Sequence, residues 1–251
     1  MTETLVLVHE LDRGQLDASM ERLAQLGDFS NLIAYDLEQV QTEQFPEGAK
    51  TLIMHLSLDN EIDTHRELSL SLLKQSVSQL NPYNNIAKIF DDKYLFYALM
   101  VANAMAQPGT CLIERKADTS KELKRIFKRP SKFVVKPRYG TEGHDVLTTN
   151  DFQQALQHLD KIHAYDDALV QGFVEYDTEF KVLYLDGKFH AQKELSSSLQ
   201  LLLDEFLAIL DDYAKRNHLQ MPEIFSLDIL ETGSSYLILE ANIRPAAIHS
   251  F

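Results

Sequence analysis

At 251 residues, 45% apolar and 25% charged, the chain has the composition of a soluble globular protein long enough for one large domain or two small ones. A formal net charge of −14 argues against a general nucleic-acid binder, because phosphate backbones need a basic footprint. The single cysteine, Cys111, excludes an internal disulfide and a cysteine-based metal cluster, and no apolar run is long enough to span a bilayer.

The first ten residues, MTETLVLVHE, carry neither a basic leader nor a long apolar stretch, so no secretory signal is expected and the cytoplasm is the expected compartment. TLVLVHE (4–10) and TLIMHLSL (51–58) read as strands, and NLIAYDL (31–37) as a weaker third. Between them LDASMERLAQLG has helical spacing and stops at Gly27. This predicts a small βαβ unit with a parallel sheet. It has no Gly-x-Gly-x-x-Gly turn, so a dinucleotide site has no support. The turn-rich NPYNN (81–85) closes the unit.

DDKYLFYALMVANAMAQPG (91–109) predicts one helix stopped by Pro108-Gly109. Then come the strand FVVKP (133–137), the loop RYGTEGHD (138–145), the strand DALVQGFV (167–174), and a hairpin turning at Asp186-Gly187 within 179–195. Ser196–Ser198 offer an N-cap to a helix with Leu199, Leu202, Leu203, Phe206, Leu210 and Tyr213 on one face. IFSLDILE (224–231) and YLILEANI (236–243) close the chain as adjacent antiparallel strands.

Charge is distributed unevenly. Residues 114–138 hold ten of the 24 Lys and Arg but three of the 38 Asp and Glu. Such an island attracts a small polyanion while the remaining surface repels nucleic acid. Over 118–129 it reads as a solvated helix, which leaves Lys136 and Arg138, after an apolar strand, to be explained. Lys136 is followed by Gly140 and Gly143, whose backbone N–H groups can approach phosphate oxygens. An ordinary surface hairpin is the other reading.

On a strand, residues i and i+2 share a face, so Glu240 and Asn242 project together, and Asp228 faces them from the preceding strand. Two carboxylates and an amide oxygen suit a hard cation such as Mg²⁺, with Mn²⁺ as its substitute. A solvated acidic sheet face is the alternative.

Lys-Pro with a glycine loop, a mid-chain hairpin, then Asp and Glu-x-Asn on closing strands follow one another in an order that resembles the ATP-grasp superfamily of carboxylate–amine and carboxylate–thiol ligases. D-alanine–D-alanine ligases and ribosomal-protein glutamate ligases are among its members, and the resemblance covers about residues 80–245. It implies an ATP-grasp fold of mixed α/β and α+β character. Residues 1–85 would form a small N-terminal α/β pre-ATP-grasp domain and 86–251 the ATP-grasp region, with a central subdomain at about 111–174 and a C-terminal one at about 175–251.

By the same resemblance Lys93 and Lys136 contact the α/β-phosphates of ATP, and Arg138–His144 form a lid over the β/γ-phosphates. Gln171, Phe173 and Val174 frame adenine, and Glu179 bonds the ribose. Asp228, Glu240 and Asn242 hold magnesium, while Lys193 and Arg244 stabilise the transferring phosphoryl group or acyl phosphate. The implied activity is an ATP- and Mg²⁺-dependent ligase joining a small-molecule or peptide carboxylate to an amine, with a homodimer as the form relatives often take. The rival readings are an ATP-binding module without ligase activity and an ATP-grasp phosphotransferase.

Several positions depart from the pattern. Gln171 stands where ligases often carry Glu, and Ser226 where D-alanine–D-alanine ligases carry Arg. KEL (193–195) runs into SSSLQ without the insertion of the ribosomal-protein ligases. These departures leave nucleotide binding intact and the acceptor unidentified. His144 reads as a solvated loop residue and Cys111 as a small core residue.

Overall fold

The structure, a computed structural model, describes residues 3–27, 29–54, 56, 60–126, 132–140, 143–233, 235–245 and 248. Parts of the expected strand at 51–58, the end of the basic helix at 127–129, lid positions 141–142 and turn residue Ser234 lie outside the described residues.

The first elements are β1 (Glu3–Val8), α1 (Arg13–Leu26), β2 (Phe29–Tyr35), α2 (Leu37–Thr42), β3 (Lys50–Ile53), α3 (Glu61–Lys74) and β4 (Ser78–Gln79). Their strands form a parallel sheet in the order β2-β1-β3-β4, as the alternating pattern predicts. Asp12 caps α1 by accepting from the amides of Gly14 and Gln15, and Gly27 is its C-cap.

The single helix expected at 91–109 is two, α4 (Asn85–Asp91) and α5 (Lys93–Ala102). Asp92 separates them in extended backbone, φ −102° and ψ 98°, and its carboxylate caps α5. Helix α5 ends before Pro108 because Ala104 turns left-handed, φ 61°, while the Met105 amide bonds back to Met100 O at 3.0 Å.

A second sheet, antiparallel in the order β5-β8-β6-β7, combines β5 (Thr110–Ile113), β6 (Phe133–Pro137), β7 (Leu147–Thr149) and β8 (Ala168–Gly172). Helices α6 (Thr119–Ile126) and α7 (Phe152–Ile162) cover one of its faces, burying Leu123, Leu159 and Ile162 against Phe133, Val135 and Val170. Cys111, expected in a core, is half-buried on the outer strand β5.

The third sheet, order β10-β9-β11-β12, is antiparallel and contains β9 (Thr178–Leu185), β10 (Lys188–Ala191), β11 (Ile224–Thr232) and β12 (Ser235–Asn242). Helix α8 (Ser197–Asn217) lies on it, capped by Ser196 and burying Leu199, Leu203, Phe206 and Leu210, the stripe its spacing predicts. Phe90 and Phe96, from α4 and α5, meet Phe206 and Phe225 in this core.

A separate seam joins the first and third sheets: Leu5, Leu7 and Leu52 are buried with Leu183, Leu185 and Ile224. Among the described residues no helix is long and apolar enough to cross a membrane.

Candidate active site

Between the second and third sheets lies a cavity of about 510 Å³. Strand alternation decides what enters it. On β6, Val134 and Lys136 line the cavity while Phe133 and Val135 point into the opposite core. On β9, Glu179 and Lys181 line it, and Phe180 and Val182 join the α8 core. Asp228 and Leu230 on β11 do the same, alternating with Leu227 and Ile229.

Strand β12 breaks the alternation. Asp228 pairs with Glu240 and Ile229 with Ile238, which leaves Leu239 as a bulge. Leu239 and Glu240 therefore both reach the cavity, and Ile238 and Ala241 are both buried in the core.

One end of the cavity is densely charged, with Lys93, Lys136 and Lys181 beside Asp228 and Glu240. Lys181 Nζ donates to Asp228 Oδ1, and Asn242 Nδ2 lies 3.3 Å from Asp228 Oδ2. Burial, then the Glu240 charge, pushes the Asp228 carboxyl up to about 6 against the pull of Lys181. Burial also raises Glu240, but Lys93 and Lys136, together with the Asp228 hydrogen bond and Lys181, hold that carboxyl below its ordinary value. The Lys136 ammonium is lowered by burial, a shift that Glu240 opposes and Lys93 reinforces.

A hard divalent cation fits this donor set, because it would relieve the repulsion between two carboxylates paired across the β11–β12 ladder. Among the described residues no group of three or more His, Cys, Asp or Glu is arranged to hold a metal. A cation held by Asp228, Glu240 and Asn242 would thus share its shell with bound phosphate and water.

The loop after β6 needs its glycines. Gly140 has φ 119° and Gly143 φ 69°, backbone that L-residues rarely adopt. Lys93 Nζ donates to the Gly140 carbonyl, tying helix α5 to the loop. His144 also lines the cavity.

Most of the singled-out residues converge here. Lys93, Lys136, Gly140 and Gly143 line the cavity with Glu179, Asp228 and Glu240. Gln171, Phe173 and Val174 form another wall, with Gln171 Nε2 bonded to Thr110 Oγ1 at 2.9 Å. Asn242 adjoins the site through Asp228.

Three expected contacts are placed elsewhere. Arg138 forks onto Asp92, Nη2 to Oδ2 at 2.7 Å, and reaches Asp167 at 3.3 Å. Lys193 lies 2.6 Å from Glu231 Oε2 and stacks over the Phe180 ring. Arg244 is buried against Asp91, Glu61 and His65. In each case local carboxylates, out of the cavity, satisfy the cation. The sequence reading missed Lys181, although its place two residues after Glu179 on one strand marks it as sharing that face.

Residues 90–192 match the RimK-like ATP-grasp domain family. No curated protein matches the chain. Among solved structures, D-cycloserine synthetase DcsG is similar at a TM-score of 0.73 and 15% identity, covering 98% of this chain and 93% of that one. The D-alanine–D-alanine ligase of Bacillus anthracis complexed with ATP gives 0.67 at 14% identity, with 98% and 87% covered. ATP-grasp ligase PsnB, complexed with a phosphomimetic variant of a minimal precursor, Mg and ADP, gives 0.61 at 16% identity, with 98% and 90% covered.

Proposed function

From the premise that this chain has the ATP-grasp fold and a RimK-like domain over residues 90–192, we propose that it is an ATP-dependent carboxylate–amine ligase using Mg²⁺. The observation that carries this reading is the meeting of Lys93, Lys136, Asp228 and Glu240 in one cavity that also has an apolar wall. The structures of the Bacillus anthracis ligase with ATP and of PsnB with Mg and ADP support the same nucleotide and cation here.

In this reading Val134, Phe173, Val174 and Leu239 hold the adenine ring, and Glu179 accepts from the ribose hydroxyls. Lys93 and Lys136 neutralise the α/β-phosphates, and the backbone at Gly140 and at Gly143 faces the β/γ end. Asp228, Glu240 and Asn242 would hold Mg²⁺, which would supply positive charge to the phosphate end of the cavity. Lys181, in place of Lys193 and Arg244, faces the transferring phosphoryl group. The substrate carboxylate attacks the γ-phosphorus and ADP leaves. The amine then attacks the acyl carbon, phosphate leaves, and the amine proton passes to solvent. Positioning and neutralisation by these side chains carry the rate.

The test is ADP release across a panel of carboxylates paired with amines, repeated with Glu240→Gln. Turnover is expected to fall by about 10³-fold or more, since an amide cannot replace the carboxylate charge. Near-normal turnover in that variant would reject the assignment. One observation favours a second reading, an ATP-binding module without ligase chemistry: Lys193 and Arg244 are engaged outside the cavity. Tight nucleotide binding with no ADP release from any pair would support it.

A further inference from the structure

Asp91, Asp92 and Lys93 are consecutive, yet their side chains reach three different parts of the molecule. Asp91 accepts from Arg244, Nη2 to Oδ1 at 2.7 Å, two residues beyond Asn242 on the chain. Asp92, 2% exposed, accepts from Arg138, the residue that follows the strand carrying Lys136. Lys93 enters the cavity.

Asp92 has two tasks at once. Its Oδ1 caps α5, accepting from the amides of Tyr94 at 3.0 Å and Leu95 at 3.1 Å. The same carboxylate takes Arg138 Nε at 3.0 Å to each oxygen, and the Tyr139 hydroxyl donates to Oδ2 at 3.0 Å. The backbone repeats the link: Lys93 N donates to Arg138 O at 3.3 Å, and Arg138 N to Asp167 O at 2.9 Å. Arg138 Nη1 closes the arrangement on Asp167 Oδ2 at 3.3 Å.

A device of this kind has a physical reason. Two ammonium groups in one cavity repel each other, and the charge of Lys93 disfavours that of Lys136. The Lys93 ammonium meets Glu240 and the Gly140 carbonyl, but Lys93 is the first residue of a helix after an extended break, so the placement of its backbone depends on Asp92. A forked guanidinium on a buried carboxylate supplies the missing rigidity, since its planar donors fix orientation as well as distance.

We infer that Arg138 is a positioning residue: acting through Asp92, it holds Lys93 beside Lys136 at the phosphate end of the cavity. This rests on the nucleotide reading of that cavity. It gives Arg138 a role other than direct phosphate contact.

The test is a double-mutant cycle read by calorimetric binding of ADP and of a non-hydrolysable ATP analogue, each with Mg²⁺. Arg138→Gln is expected to weaken binding about tenfold in the wild-type background and to change nothing in a Lys93→Met background. Arg138→Lys should restore only part of the loss, because a single ammonium cannot fork. Asp92→Asn keeps the helix cap and should reproduce Arg138→Gln, so it completes the cycle if the arginine variant does not fold. A loss from Arg138→Gln that persists in full without Lys93 would overturn the inference, as that is the signature of direct contact or general loosening. Unchanged affinity in Arg138→Gln would overturn it as well. If the wild-type protein bound neither nucleotide, the nucleotide reading would fall and this inference with it.

Discussion

His65 lies at the back of the Arg244 cluster, where each of its ring nitrogens has a partner. Nε2 donates to the Asn81 carbonyl at 2.9 Å, and Nδ1 accepts from Arg244 Nη1 at 2.9 Å. Glu61 and the Tyr83 ring, 5.2 Å away, complete its surroundings. Burial and then the Arg244 charge lower its pKa from 6.5 to about 3. The folded state therefore keeps this imidazole neutral, while the unfolded chain takes up a proton as pH falls below 6.5. Stability from His65 is complete above that pH and is lost progressively toward the folded value. Between pH 6.5 and about 5, His65→Gln should flatten the slope of Tm against pH relative to the wild-type protein. An equally steep slope in the variant would mean that other groups dominate acid unfolding. Lys136 was legible in the sequence because it sits on an apolar strand whose period of two fixes its face, and Glu240 because it shares a face with Asn242 two residues on. Arg138, Lys193 and Arg244 were not, because their partners Asp92, Glu231 and Asp91 come from other elements. Lys181 in an alternating strand looks like a solvent-facing residue until β11 brings Asp228 opposite it.

Helix α8 was readable from spacing alone, and its stability can be divided between two sources. Leu203 is fully buried among Phe90, Phe206 and Phe225 in the same core, so Leu203→Ala should cost about 2–5 kcal/mol. Ser196 accepts from the Leu199 amide at 3.2 Å, so Ser196→Ala should cost about 1 kcal/mol. Urea unfolding of both variants would measure the ratio, and a cap variant as costly as the core variant would contradict the dominance of packing. The break between α4 and α5 had only a weak signal, since Asp is a preferred N-cap residue but no Gly or Pro interrupts the chain there. Its cause is the simultaneous demand on Asp92 from the α5 amides and from Arg138, 46 positions further along the chain. The bulge at Leu239 was equally hidden. It appears only when the registers of both strands are known.

Across the whole molecule, buried apolar residues fall into clusters that do not coincide with chain order. Among the described residues, the central core, from Ile113 to Val170, draws on none of the first or third sheet. The first and third sheets share the seam of Leu5, Leu7, Leu183 and Leu185. Native-state hydrogen exchange should therefore show β6, β8 and α7 opening as one unit, separately from β1 and β9, which should open together. A single common opening free energy for all five elements would refute this division. The parallel first sheet and the closing antiparallel strands were legible from their apolar runs, whereas β5 and β7 of the second sheet, four and three residues long, were too short to stand out. The seam was not legible, since Leu183 and Leu185 read as ordinary core residues of their own hairpin.

That seam bears on how such proteins could be recombined. One face of β9 is divided lengthwise: Glu179 and Lys181 line the cavity, and Leu183 and Leu185 lie against the first sheet. A chimera that grafted a relative's first 80 or so residues onto this chain would expose or overfill Leu183, Leu185 and Ile224 unless those three were exchanged too. The graft would then alter the strand that carries Lys181. The crossover point that keeps the nucleotide side untouched is therefore a set of separated side chains, with no single position along the backbone to mark it.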